Sequence, residues 1–104
     1  MTTTIPDGAP LFIVDLTYEA ALEEIYALLD AHKAFLAKAY DDGVFLASGP
    51  KIPRTGGVIL ARSASAEALR ALLAEDPFAK AGAARYALTA FRPSRTVSGL
   101  EGLL

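Results

Sequence analysis

Three short runs that are nearly continuous in carbon constrain this fold most: Leu11-Phe12-Ile13-Val14, Val44-Phe45-Leu46-Ala47 and Val58-Ile59-Leu60-Ala61. Each is rich in branched, aromatic or large aliphatic side chains, so each reads as a strand. An antiparallel sheet with one wet face alternates apolar and polar residues, and these runs do not. The sheet they build is therefore expected to need cover on both faces.

Between the first two runs the period changes from strand to helix. From Thr17 to Asp42, Leu22, Ile25, Tyr26 and Leu29 fall on one apolar stripe, and His32, Phe35, Leu36 and Ala39 continue it. That is long for a single helix in a 104-residue chain, and Asp30 can act as an internal cap. The pattern predicts a short helical segment up to about Leu29 and a main helix from Ala31 to Asp42. His32 would then sit in a first turn, where the helix dipole opposes an imidazolium. Gly43 stands where a C′ glycine belongs.

The first strand reads as Leu11 to Leu16, after Pro10. Ser48 to Gly57 reads as a glycine- and proline-rich turn whose charges are Lys51 and Arg54. Ser65 can cap a second helix with the stripe Leu69, Leu72 and Leu73, which should end by Glu75 because Pro77 disfavours helical geometry just before it. Asp76 followed by Pro77 looks like a new cap with proline at the first helical position. Tyr86 to Phe91 is the fourth strand. Residues 1–10 are expected to be a lead-in without an element, 11–93 the core of a single domain, and 94–104 a tail docked through Val97, Leu100, Leu103 and Leu104.

The order strand, helix, strand, strand, helix, strand is that of the ferredoxin-like α+β sandwich, with both helices on one face of an antiparallel sheet. Two helices cover only one face. The other would be a bare apolar patch, so a second copy of the chain, docked through the sheet face as a homodimer, is the expected cover.

Composition narrows the partners. With 53% hydrophobic residues the chain can fill one core, and 10 basic against 12 acidic side chains leave a formal net charge of −2. That balance offers no electrostatic footprint for nucleic acid or an anionic membrane. No cysteine is present, which removes disulfides, thiolate nucleophiles and cysteine-based metal sites. No apolar run approaches the roughly 18 residues of a membrane span, and the start lacks the pattern of a signal peptide, so the expected location is cytoplasmic.

Four pieces of the chain, Ala31-His32-x-x-Phe35-Leu36, Gly43-Val44-Phe45-Leu46-Ala47-Ser48-Gly49-Pro50, Gly56-Gly57-Val58 and Asp76-Pro77-Phe78-x-x-Ala81-Gly82, together resemble the YCII-related proteins of the dimeric α/β-barrel superfamily. The resemblance runs from Leu11 to about Pro93, and its order and spacing are more specific than any single piece. It implies a ferredoxin-like fold, two sheets facing each other in a dimer, and an active site built on a histidine and an aspartate. Those positions fall on His32 and Asp76. The lead-in and the tail lie outside the pattern.

The residues support a chemical reading of that pair. Histidine titrates nearest neutrality, and an aspartate accepting from one ring nitrogen fixes the tautomer and makes the other a better base. The alternative is structural, with His32 a satisfied core residue and Asp76 only the cap of the turn begun by Pro77. Ser48 and the Gly49 amide can contact a substrate oxygen, or simply form a tight turn. Lys51 and Arg54 can hold a carboxylate, or be solvated loop charges. The tyrosines follow the helical and strand patterns and read as core-edge aromatics. Phosphate-cradling loops, metal-ligand spacing and a nucleophile elbow are lacking, and a single histidine without a motif argues against haem or flavin, so no cofactor is expected. The chain therefore reads as a small cofactor-independent enzyme, of isomerase or lyase type, acting on a small organic molecule. Its alternative is a non-catalytic dimeric module that binds a small ligand or a partner.

Overall fold

The computed structural model describes residues 5–104. Its elements are β1 (Leu11–Tyr18), α1 (Leu22–Asp41), β2 (Phe45–Pro50), β3 (Gly56–Arg62), α2 (Ala66–Leu73), α3 (Pro77–Lys80) and β4 (Ala84–Phe91), followed by a 3-10 turn at Glu101–Leu103. The four strands form one antiparallel sheet in the order β2-β3-β1-β4. The expected α+β architecture is present.

The apolar runs divide their side chains between the two faces. Phe12, Val14 and Leu16 of β1, Phe45 of β2 and Ile59 and Ala61 of β3 are buried against Ile25 and Ala39 of α1, Leu69 and Leu73 of α2 and Phe78 of α3. Alternate positions point the other way, where Ile13, Val58 and Phe91 remain 36%, 38% and 41% exposed. That open face is interrupted by an ion pair between Lys51 and Asp15. It is less uniformly apolar than the three runs imply.

The helix does not break at Asp30. α1 is continuous for 20 residues and buries Ile25, His32 and Ala39 at seven-residue intervals. Between Leu22 and Asp42 the chain contains neither glycine nor proline, and an interior aspartate costs no more than about 0.7 kcal/mol relative to alanine. His32 therefore lies mid-helix, outside the reach of the N-terminal dipole, which fades within the first turn. The C-terminus forms as expected: Gly43 has φ +74, its amide donates to the Tyr40 carbonyl, and the Val44 amide donates to that of Ala39. This is a Schellman motif.

The second departure concerns Ser48, Gly49 and Pro50, which complete β2 rather than begin a turn. Between Phe45 and Ala47 the ladder shifts by one residue, so Phe45 faces Ala61 while Ser48 faces Ile59. The bulge keeps Ser48 on the helix-covered side. Pro50 is tolerated because β2 is an edge strand. β1, β3 and β4 are also longer than the apolar runs that announce them. Gly56 makes the β1–β3 approach possible, since a Cβ there would lie 1.9 Å from the Leu16 carbonyl oxygen.

At the ends, Ile5 to Pro10 carry no helix or strand, although Ala9 is buried and the Arg92 guanidinium donates to the Gly8 carbonyl. The remainder of the expected lead-in, 1–4, lies outside the described residues. The tail remains largely exposed in the single chain, with Leu103 partly buried. Val97, Leu100 and Leu104 are all at least half exposed.

Candidate active site

The site begins with the local structure of one short helix. Asp76 is the N-cap of α3, with its Oδ1 accepting from the Phe78 amide at 3.1 Å, and Pro77 occupies the first helical position. α3 closes in a second Schellman motif, where Gly82 has φ +66, its amide donates to Ala79 and the Ala83 amide donates to Phe78. One rigid turn thus fixes both a carboxylate and a phenylalanine ring.

α1 brings His32 against that turn. Its Nδ1 lies 2.8 Å from Asp76 Oδ1, and its ring stacks on Phe78 with centroids 4.0 Å apart and planes 9° from parallel. Asp76 is fully buried and His32 nearly so. From β4, Tyr86 donates its hydroxyl to the second carboxylate oxygen, Oδ2, at 2.6 Å. The capping and histidine-orienting roles of Asp76 are not alternatives. One carboxylate performs both.

This network assigns the histidine tautomer. Burial, and then the hydrogen bond to Asp76 and its negative charge, push the Tyr86 phenol far above the ordinary tyrosine range, so it keeps its proton and donates. The Phe78 amide can only donate. An ionised Asp76 accepts at both oxygens, and against it a neutral His32 donates from Nδ1–H and keeps the Nε2 lone pair free.

His32 forms part of the wall of a cleft of about 230 Å³. Apolar side chains including Leu16, Leu29, Leu36, Ile59 and Phe78 line it, joined by Ser48, Gly49, Arg54 and Lys33. Of the residues singled out in the sequence, His32, Ser48, Gly49 and Arg54 therefore share one cavity, with Asp76 directly behind the histidine. The Ser48 hydroxyl is also hydrogen-bonded to that of Tyr40 at 2.6 Å. Lys51 does not join them: its ammonium lies 2.6 Å from Asp15 of β1, which draws it to the open face of the sheet. Lys33 lines the cleft and Tyr86 reaches Asp76 from β4, although pattern reading assigns neither to the site. A helical lysine beside the histidine looks like a solvated charge, and nothing in the spacing of Asp76 and Tyr86 shows that β4 returns beneath α3. The Phe78 position, two residues after a capping aspartate, carried the clearest available signal.

The YCII-related domain model matches residues 11–92. The chain belongs to the YCII-related family. No curated protein sequence matches it. Among solved structures, it is similar to the 5-chloro-2-hydroxyhydroquinone dehydrochlorinase TftG from Burkholderia phenoliruptrix AC1100, in complex with 2,5-dihydroxybenzoquinone. That similarity has a TM-score of 0.67 and 21% identity, over 83% of this chain and 95% of TftG. It is also similar to SnoaB, a cofactor-independent oxygenase from Streptomyces nogalater, with a TM-score of 0.52 and 19% identity, over 88% of this chain and 98% of that one. Both likenesses establish a shared fold for this YCII-related chain.

Proposed function

We propose that this YCII-related protein catalyses proton transfer in a small organic molecule, with His32 as general acid/base and Asp76 as the group that orients it. The observation that carries this reading is the His32–Asp76 pair, held at 2.8 Å behind the wall of an apolar cleft. In this reading Nε2 takes a proton from an acidified C–H of the substrate, and the electron pair of that bond becomes a new C=C bond. The imidazolium so formed is balanced by Asp76. In an isomerisation the proton returns to another carbon of the displaced π system. In an elimination it stays on the imidazolium while a leaving group departs with its bonding pair, and solvent then carries the proton away. Neither route needs a redox partner.

Ser48 supplies a hydroxyl for a substrate oxygen, Gly49 lines the cleft beside it with its amide turned to β3, and Tyr86 is a positioning residue that acts through Asp76. The dehydrochlorinase activity named for TftG is an elimination of this kind, which favours the lyase form. The same reading pairs two copies through the sheet face that exposes Ile13, Val58 and Phe91. It also places the protein in the cytoplasm, and no helix of the described residues is long and apolar enough to cross a membrane.

The test is deuterium incorporation from D2O into a panel of enolisable rings that includes 2,5-dihydroxybenzoquinone, followed by NMR. Wild-type protein should exchange at least one of them. His32→Gln should lower the rate by about 10²- to 10⁴-fold with the circular dichroism spectrum unchanged. Exchange that persists undiminished in His32→Gln would remove the proposal.

A further inference from the structure

The charges around the cleft are distributed against the overall composition. The chain carries a formal net charge of −2, yet among the described residues no carboxylate lines the cavity, whereas Lys33 and Arg54 both do. Some cations near the sheet and on α1 are paired, Lys51 with Asp15, Lys38 with Asp42 and Arg85 with Glu19, whereas Arg62 of β3 is not. Lys33 and Arg54 have no acidic partner among the described residues.

Arg54 is nevertheless held. Its guanidinium carbon lies 5.5 Å from the centroid of the Tyr26 ring, so a residue of the β2–β3 loop is anchored on α1 across the mouth of the cleft. A guanidinium over an aromatic ring is attracted without an ion pair, so no carboxylate among the described residues competes with an anion for its N–H groups. An acidic partner would have occupied those donors. Tyr26, Leu29 and Lys33 are spaced three and four residues apart, so Lys33 lies on the same helical stripe as the residue that anchors Arg54. Beyond these cations, His32, Ser48 and Tyr18, the walls are largely carbon, from Leu16, Leu29, Leu36, Ile59 and Phe78. A cavity of about 150 Å³ accommodates benzene, so a cleft of this size has room for one ring and its substituents.

We infer that the cleft is built for a small organic monoanion: one apolar ring seated among the walls near His32, with its carboxylate or ionised enol oxygen held at the mouth by Arg54 and Lys33. The inference rests on the reading of this cleft as the substrate site, and it adds the substrate's charge and shape. Lys33 and Tyr26 acquire roles through it, the first as a direct anion ligand and the second as a positioning residue for Arg54.

Benzoate and benzamide match in size and differ in charge, which makes them suitable probes. Titrated into the full-length protein and followed by NMR, benzoate should bind saturably and at least about tenfold more tightly than benzamide, an advantage that shrinks as salt is raised. Arg54→Gln and Lys33→Gln should each reduce the preference, the double variant should abolish it, and Tyr26→Leu should weaken it with both cations still present. Equal affinities, no saturable benzoate binding, or a preference that survives in the double variant would overturn the inference. His32→Gln separates the two readings. A retained benzoate preference alongside undiminished proton exchange would remove the catalytic proposal and leave the anion site standing. Lost exchange with equal affinities would do the reverse.

Discussion

Replacing Tyr86 by phenylalanine removes one hydroxyl and leaves the ring in place, which makes it the cleanest probe of the network behind His32. The hydroxyl donates at 2.6 Å to Asp76 Oδ2, and it is the only donor recorded at that oxygen among the described residues. Hydrogen bonds to charged groups contribute about 1.5–3 kcal/mol. Asp76 is fully buried, which argues for the upper part of that range, whereas Tyr86 is only partly buried, so water can reach the vacated position and argues for the lower part. The expected loss is therefore about 1.5–2 kcal/mol, read as a lower urea midpoint with an unchanged slope. A melting temperature lower by roughly 6–10 °C should accompany it in a chain of this size. Alkaline titration supplies a second readout. The phenol's ionisation is raised in the folded state, so its contribution to stability is complete below the ordinary tyrosine value of about 10 and is lost as pH rises beyond it. The Tyr86 share of the 295 nm absorbance change should appear only as the wild-type protein unfolds, and Tyr86→Phe should lack that step. A stability change within about 0.5 kcal/mol, the usual range for an unremarkable surface site, would refute the reasoning.

Two further substitutions test other parts of the account. Gly56→Ala should destabilise by about 1–3 kcal/mol in chemical denaturation, because the added carbon meets the β1 backbone rather than a yielding side chain, and an unchanged midpoint would contradict that contact. Ile13→Lys should convert the proposed dimer to monomer in light scattering without altering the circular dichroism spectrum, and an unchanged mass would mean that the open face is not the interface.

Most of the fold was legible because it rests on period and punctuation. The apolar runs located the strands, Gly43 marked the end of α1, and Ser65 and the Asp76-Pro77 pair marked the starts of α2 and α3; the Ser65 hydroxyl accepts from the Ala68 amide as a cap should. The errors arose where a local preference was weaker than its surroundings. Asp30 is a good cap in isolation, but a helix free of glycine and proline passes over it at little cost. Ser48-Gly49-Pro50 has turn composition, yet the β2–β3 ladder and a bulge extend the strand through it. Of the candidate site, the sequence pointed to His32 and Asp76, which the structure brings within 2.8 Å of each other. What composition could not give was the third dimension: β4 brings Tyr86 to the far oxygen of Asp76, Asp15 captures Lys51, and the Tyr26 ring keeps Arg54 at the cleft. Each of those depends on which strand or loop lies beside which.

The central claim is that Asp76 holds His32 as the Nδ1–H tautomer, with Nε2 free to accept a proton. Since the chain has a single histidine, long-range proton–nitrogen NMR of uniformly labelled protein, above the pH at which the ring is protonated, reads this directly. The account predicts a protonated, pyrrole-like Nδ1 and an unprotonated, pyridine-like Nε2, with the assignment weakened in Asp76→Asn. A protonated Nε2 and bare Nδ1 in the wild-type protein would contradict it.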